Sequence, residues 1–156
     1  MDNVILGADE PTEEEYCIGT FSPYGYYTGF VFPRNFDLYS DFLTFDKKPK
    51  DHKKWKKKYY YLVQMLTLGH KGKPLFLKNP TLSYRIRDIL EMFPNAKFIF
   101  TYRDPYTLYT SMYKFWLKTC EIFSLQEFKE KYYKIKDGYL RLFNESLEKH
   151  IFEQTC

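Results

Sequence analysis

Two cations occupy matching places in this chain. Lys78 follows the apolar run Leu75-Phe76-Leu77, and Arg103 follows Phe98-Ile99-Phe100 after Thr101 and Tyr102. Ser111 comes eight residues after Arg103, in a stretch patterned as a helix. Helical side chains lean toward the N-terminus of their helix, so this hydroxyl looks back toward the point where Arg103 emerges. A guanidinium offers a planar fork of donors, the serine adds one more, and the helix start adds unpaired N–H groups with partial positive charge. That set suits a phosphate monoester. Two other readings stay open: Arg103 in a surface pair with Asp104 or Asp88, and Ser111 bonding its own backbone.

The elements that position these groups are read from the segment 73–116. Leu75-Phe76-Leu77 and Phe98-Ile99-Phe100 are short, wholly apolar runs of the kind that form strands buried on both faces. Between them, Leu82, Ile86, Ile89, Leu90 and Phe93 recur at helical spacing. Asp104 suits an N-cap and Pro105 a first helical position, with Leu108, Met112 and Phe115 facing inward. The expectation is a right-handed parallel β-α-β-α arrangement, an α/β fold with its ligand at the carboxyl ends of the strands. Two strands do not make a stable sheet, so others are required from elsewhere.

The rest of the chain supplies further helices. Thr12 and Glu15 have the spacing of a capping box. The aromatic stretch from Gly19 to Asn35 reads as an ordered loop, and Asn35 as the cap of a helix through Leu43. Asp51 is the expected cap of the next helix, whose buried face carries Tyr59, Leu62, Val63 and Leu66 and which stops at Gly69. Ser124 and Glu127 suggest a second capping box, opening a last long helix. No linker divides the chain, and a single domain over 1–156 is expected.

Composition narrows the classes. With 16 Tyr, 15 Phe and 2 Trp in 156 residues, the chain has ample material for a core. Its three cysteines, Cys17, Cys120 and Cys156, form no CxxC and no Cys/His cluster, which argues against a disulfide framework and a zinc site. No basic leader or membrane-length apolar run is seen, so the expected location is cytoplasmic, with no membrane span. The lysine-rich run Lys47–Lys58, with Trp55 and Tyr59 to Tyr61, offers nucleic-acid binding as an alternative. The aromatics continue the buried helical period, which favours a solvated helix face instead.

The ordered set Gly72-Lys73, Leu77-Lys78-Asn79-Pro80, Met92-Phe93-Pro94-Asn95-Ala96-Lys97-Phe98, Arg103-Asp104-Pro105 and Ser111 resembles the sulfotransferases that use 3′-phosphoadenosine-5′-phosphosulfate (PAPS), in their bacterial-type branch. Thr12 to Glu15 and the stretch from Ser22 to Asn35 resemble that branch too. The resemblance implies a P-loop-NTPase-like fold, a parallel sheet flanked by helices. It implies PAPS as co-substrate, no metal, and a small-molecule, carbohydrate or lipid acceptor. Arg103 and Ser111 would bind the 3′-phosphate. Lys78 would stabilise charge near the transferred group, unless it is simply a lysine in solvent. The general base would come from Glu13, Glu14 or Glu15, with Glu15 taken as the candidate; an acidic first helical turn is the other reading of these residues. The Gly/Ser-rich phosphosulfate loop of that family does not occur here, and Leu82 stands where relatives place His or Asn. The fold is therefore expected to be incomplete, and activity to need the missing loop. A non-catalytic, truncated relative is the alternative.

Overall fold

A computed structural model describes residues 12–101 and 104–127. Among them the regular structure is entirely helical: α1 (Glu14–Phe21), α2 (Thr28–Val31), α3 (Phe36–Thr44), α4 (Pro49–Gly69), α5 (Ile86–Met92) and α6 (Pro105–Phe123), with 3₁₀ turns at Pro33–Asn35 and Pro80–Tyr84. The expected parallel sheet is absent from the described residues, which corrects the α/β reading. Residues 75–77 and 98–100 run outside any ladder, and Phe76, Ile99 and Phe100 are 82%, 79% and 64% exposed. A strand needs a neighbouring strand for its N–H and C=O groups, and among the described residues neither run is paired in a ladder. The last expected helix lies from residue 128 onward, outside the described residues.

Two aromatic cores replace the sheet as the organising feature. Tyr26, Phe30, Phe36, Leu43, Trp116 and Cys120 form one, joining α2, α3 and α6. Ile18, Phe42, Phe45, Trp55, Tyr59, Leu62 and Ile89 form the other, joining α1, α3, α4 and α5. Helix α3 serves both because its adjacent residues Phe42 and Leu43 turn to different sides. Trp116 sits edge-on to Phe36 at 4.7 Å and tilted against Phe30 at 4.4 Å, geometries that aromatic pairs favour. Gly29 allows α2 to lie directly on α3: a Cβ there would come within 2.7 Å of the Phe36 ring.

Local signals were realised unevenly. Helix α4 ends at Gly69 and buries Trp55, Tyr59 and Leu62, with Val63 and Leu66 packed beside them. It starts at Pro49, so Asp51 lies in its first turn rather than at its cap. The Asp104 side chain caps α6, accepting from the Thr107 N–H at 2.9 Å. Helix α6 turns Trp116, Thr119 and Cys120 inward and leaves Phe115 43% exposed. The aromatic stretch holds α2 and a 3₁₀ turn instead of an irregular loop. The first expected capping box does not form, since α1 has Glu13 at its cap with no side-chain bond. Ser124 closes α6 and its hydroxyl accepts from the Gln126 N–H at 3.1 Å, and the helix it was expected to open lies outside the described residues.

Candidate functional site

The first turn of α1 places three consecutive carboxylates in three environments. Glu15 is fully buried and Glu14 is 4% exposed, while the Glu13 side chain is 17% exposed. A carboxylate is buried only when donors replace its water, and each of these has them.

Glu15 faces Arg85, and their side chains are both at 0% exposure with 3.1 Å between Nη1 and Oε2. It also accepts from Thr81 Oγ1 at 3.2 Å and from the Tyr26 N–H at 3.3 Å. The remaining donors of Arg85 go to main-chain carbonyls: Nε to Leu43 at 3.0 Å, and Nη2 to Phe42. Its guanidinium lies 4.3 Å from the Trp55 ring centroid and 5.1 Å from that of Phe45. Charge, hydrogen bonding and π-face contact together compensate this buried cation. Arg85 immediately precedes α5 and ties it to α1 and to the end of α3.

Glu14 accepts from Tyr59 Oη at 2.9 Å and from Asn79 Nδ2 at 3.0 Å. Asn79 Oδ1 accepts in turn from the Thr81 N–H at 2.9 Å and Thr81 Oγ1 at 2.7 Å, capping the 3₁₀ turn. Burial, reinforced by negative Glu14, drives the Tyr59 phenol pKa above its ordinary value of 10.0. The Lys78-Asn79-Pro80 turn is thus held against α1 through Glu14.

Glu13 meets Lys78 at the outer edge of this network. Lys78 Nζ donates to Glu13 Oε1, and the Tyr27 hydroxyl donates to Oε2. Lys78 is 74% exposed. Burial first, then the negative Glu13, raise the Tyr27 pKa well above 10.0 and keep its hydroxyl protonated. The ring of Tyr16, itself 43% exposed, packs on Tyr27 at 4.7 Å. A partly exposed carboxylate, an exposed ammonium and an aromatic wall therefore converge at one point.

The structure accordingly brings Lys78 to Glu13, while Glu15 lies behind them, committed to Arg85. Ser111 is exposed on α6. Arg103 lies outside the described residues. His52 is partly buried, hydrogen-bonded to Asp88 at 2.8 Å and stacked on Phe45. Asp88 also pairs with Lys56 at 2.7 Å. Among the described residues no group of three or more His, Cys, Asp or Glu is arranged to hold a metal ion, and no helix is long and apolar enough to cross a membrane. Sequence reasoning missed Arg85, Thr81 and Tyr27. Arg85 carried a signal: it lies three residues after Leu82 and four before Ile89, on the buried stripe, where a cation requires a carboxylate.

Residues 31–154 match the sequence profile of the sulfotransferase family. The omega-hydroxy-beta-dihydromenaquinone-9 sulfotransferases of Mycobacterium bovis and Mycobacterium tuberculosis are each 38% identical to the chain over 115 residues. That alignment takes in 71% of this chain and 29% of each relative. The chain thus spans less than a third of the length of these curated relatives. No solved structure matches it.

Proposed function

The chain belongs to the sulfotransferase family, and from that premise we propose that it contributes the acceptor-activating edge of a PAPS-dependent transfer to a hydroxyl carried on a lipid. The contact between Lys78 and Glu13 carries this reading. Glu13 takes the proton of the acceptor hydroxyl as that oxygen bonds to sulfur. The bond from sulfur to the departing phosphate oxygen breaks, and Lys78 offsets the charge gathering there. Of the three glutamates, Glu13 is assigned as base because its side chain keeps 17% exposure and meets the exposed Lys78, whereas Glu14 and Glu15 are at 4% and 0%. Those two act through position: they fix α1 and the Lys78 turn relative to each other.

Arg103 and Ser111 are proposed to hold the 3′-phosphate of the donor. Free Ser111 exposure on α6, behind an N-terminus capped by Asp104, is compatible with that role. A lipid-borne alcohol is favoured over a carbohydrate by two observations. Tyr16 and Tyr27 line the approach to Glu13 with ring surface, and the two relatives are named for a hydroxylated menaquinone derivative.

The test is transfer of labelled sulfuryl from PAPS to a long-chain isoprenoid alcohol, with calorimetric binding of 3′-phosphoadenosine 5′-phosphate alongside it. Glu13→Gln is expected to lower the transfer rate by about 10²–10⁴-fold, the usual contribution of a positioned base, and to leave nucleotide affinity unchanged. Arg103→Ala is expected to weaken nucleotide binding by ~1.5–3 kcal/mol for each charge-assisted bond lost. Full transfer by Glu13→Gln would remove the base assignment, and unchanged nucleotide affinity in Arg103→Ala would remove the phosphate assignment.

A further inference from the structure

We propose that the outward stripe of α4 docks on the surface of an anionic lipid bilayer. This is independent of the transfer reading and stands or falls on other measurements. At about 100° per residue, Lys50, Lys54, Lys57, Tyr61, Met65 and Leu68 follow one another along a single face of α4, opposite the buried Trp55, Tyr59 and Leu62. All six are exposed. Its apolar members are Tyr61 at 57%, Met65 at 51% and Leu68 at 79% exposure.

The stripe is divided by chemistry. Its N-terminal half is cationic: Lys50, Lys57 and the adjacent Lys58 have no carboxylate partner among the described residues, and Lys54 has only Asp51 at 3.4 Å. Lys56, on the flank, is neutralised by Asp88 and Glu91 and does not belong to it. Its C-terminal half is aromatic and aliphatic. Phe21, 41% exposed, lies beneath Lys58 at 5.8 Å and widens the apolar content.

A bilayer interface matches both halves. Lysines reach anionic headgroups, a tyrosine sits at the level of the headgroups, and Met and Leu enter the acyl boundary. The lysines and Tyr61 alone would also suit a nucleic acid, whose phosphates and bases they could contact. Met65 and Leu68 decide between them, because a phosphate backbone offers nothing for two exposed aliphatic side chains. Charge complementarity and apolar content together therefore favour lipid.

The experiment is co-sedimentation of the full chain with vesicles of phosphatidylcholine alone and of phosphatidylcholine mixed with phosphatidylglycerol. Partitioning into the anionic vesicles is expected, with little into the neutral ones. Lys54→Glu, Lys57→Glu and Lys58→Glu together should lower partitioning about a hundredfold or more, at about fivefold for each lysine contact removed. Met65→Ser with Leu68→Ser should also weaken vesicle binding, about tenfold or more, and leave affinity for duplex DNA unchanged. All the altered side chains are exposed, and retained helical circular dichroism confirms that each variant folds. Three results would each overturn the proposal. The first is equal binding to both vesicle types, or to neither. The second is wild-type vesicle binding by the Met65/Leu68 variant, which would leave only a basic patch. The third is conversion of a dimer to a monomer by that variant without loss of lipid binding, which would assign the stripe to a second copy.

Discussion

Replacing Arg85 with methionine removes the countercharge of Glu15 at a point where no water can take its place. Both side chains are at 0% exposure, so the loss is that of a buried pair broken on one side, about 3–5 kcal/mol. The contacts left to Glu15 cannot absorb it: the bonds from the Tyr26 N–H and Thr81 Oγ1 are long, at 3.3 and 3.2 Å, and neither brings a charge. The carbonyls of Leu43 and Phe42 lose donors as well. Set against the ~5–15 kcal/mol that holds an ordinary domain together, this is a large fraction. Urea unfolding followed by tryptophan fluorescence and far-UV circular dichroism measures it. Trp55, 4.3 Å from the guanidinium, reports on the site directly. The double variant Glu15→Gln, Arg85→Met should recover more than half of the loss, because it removes both buried charges. A cost below about 1 kcal/mol for Arg85→Met, the range of an exposed pair, would refute the claim that this pair joins α1 to the chain ahead of α5.

Gly29→Ala should destabilise by about 1–3 kcal/mol, since the added methyl meets the Phe36 ring at 2.7 Å and Tyr39 Cβ at 3.2 Å; a shift in the urea midpoint checks it. Burial pushes the Cys120 thiol up to about 11 from 9.0, so alkylation near neutral pH should label exposed Cys17 and spare Cys120 until the protein unfolds, as mass mapping of the labelled sites would show. Tyr27, Tyr59 and Cys120 all bind their protons more tightly when folded. Their contribution is full below the ordinary values of 9.0 for the thiol and 10.0 for the phenols. Stability should therefore fall as pH rises above that range, and Tyr59→Phe should flatten the decline in unfolding midpoint.

What could be read from the sequence was local. The end of α4 at Gly69, its buried face and the Asp104 cap of α6 each depend on residues within one or two turns, and the structure has them. What failed depended on distant partners. Leu75–Leu77 and Phe98–Phe100 have strand composition, but a strand exists only with a neighbour to pair with, and the described residues provide none. In α6 Met112 packs against the core as expected, but Trp116 rather than Phe115 is buried there, a choice settled by Phe30 and Phe36 in α2 and α3. The acidic run at residues 13–15 offered three candidates, with Glu15 preferred, and local sequence could not rank them by exposure. Which one stays accessible was decided by Arg85, Asn79 and Lys78, more than sixty residues away.

The most direct test of the central claim compares labelled sulfuryl transfer from PAPS to an isoprenoid alcohol by a protein in which this chain is joined to a phosphosulfate-binding loop segment and by the same protein carrying Lys78→Met. The pairing of Lys78 with Glu13 predicts measurable transfer by the former and a loss of about 10²–10³-fold in the latter, the scale of removing one charge-stabilising donor. Equal rates for the two proteins, or no transfer by either, would contradict it.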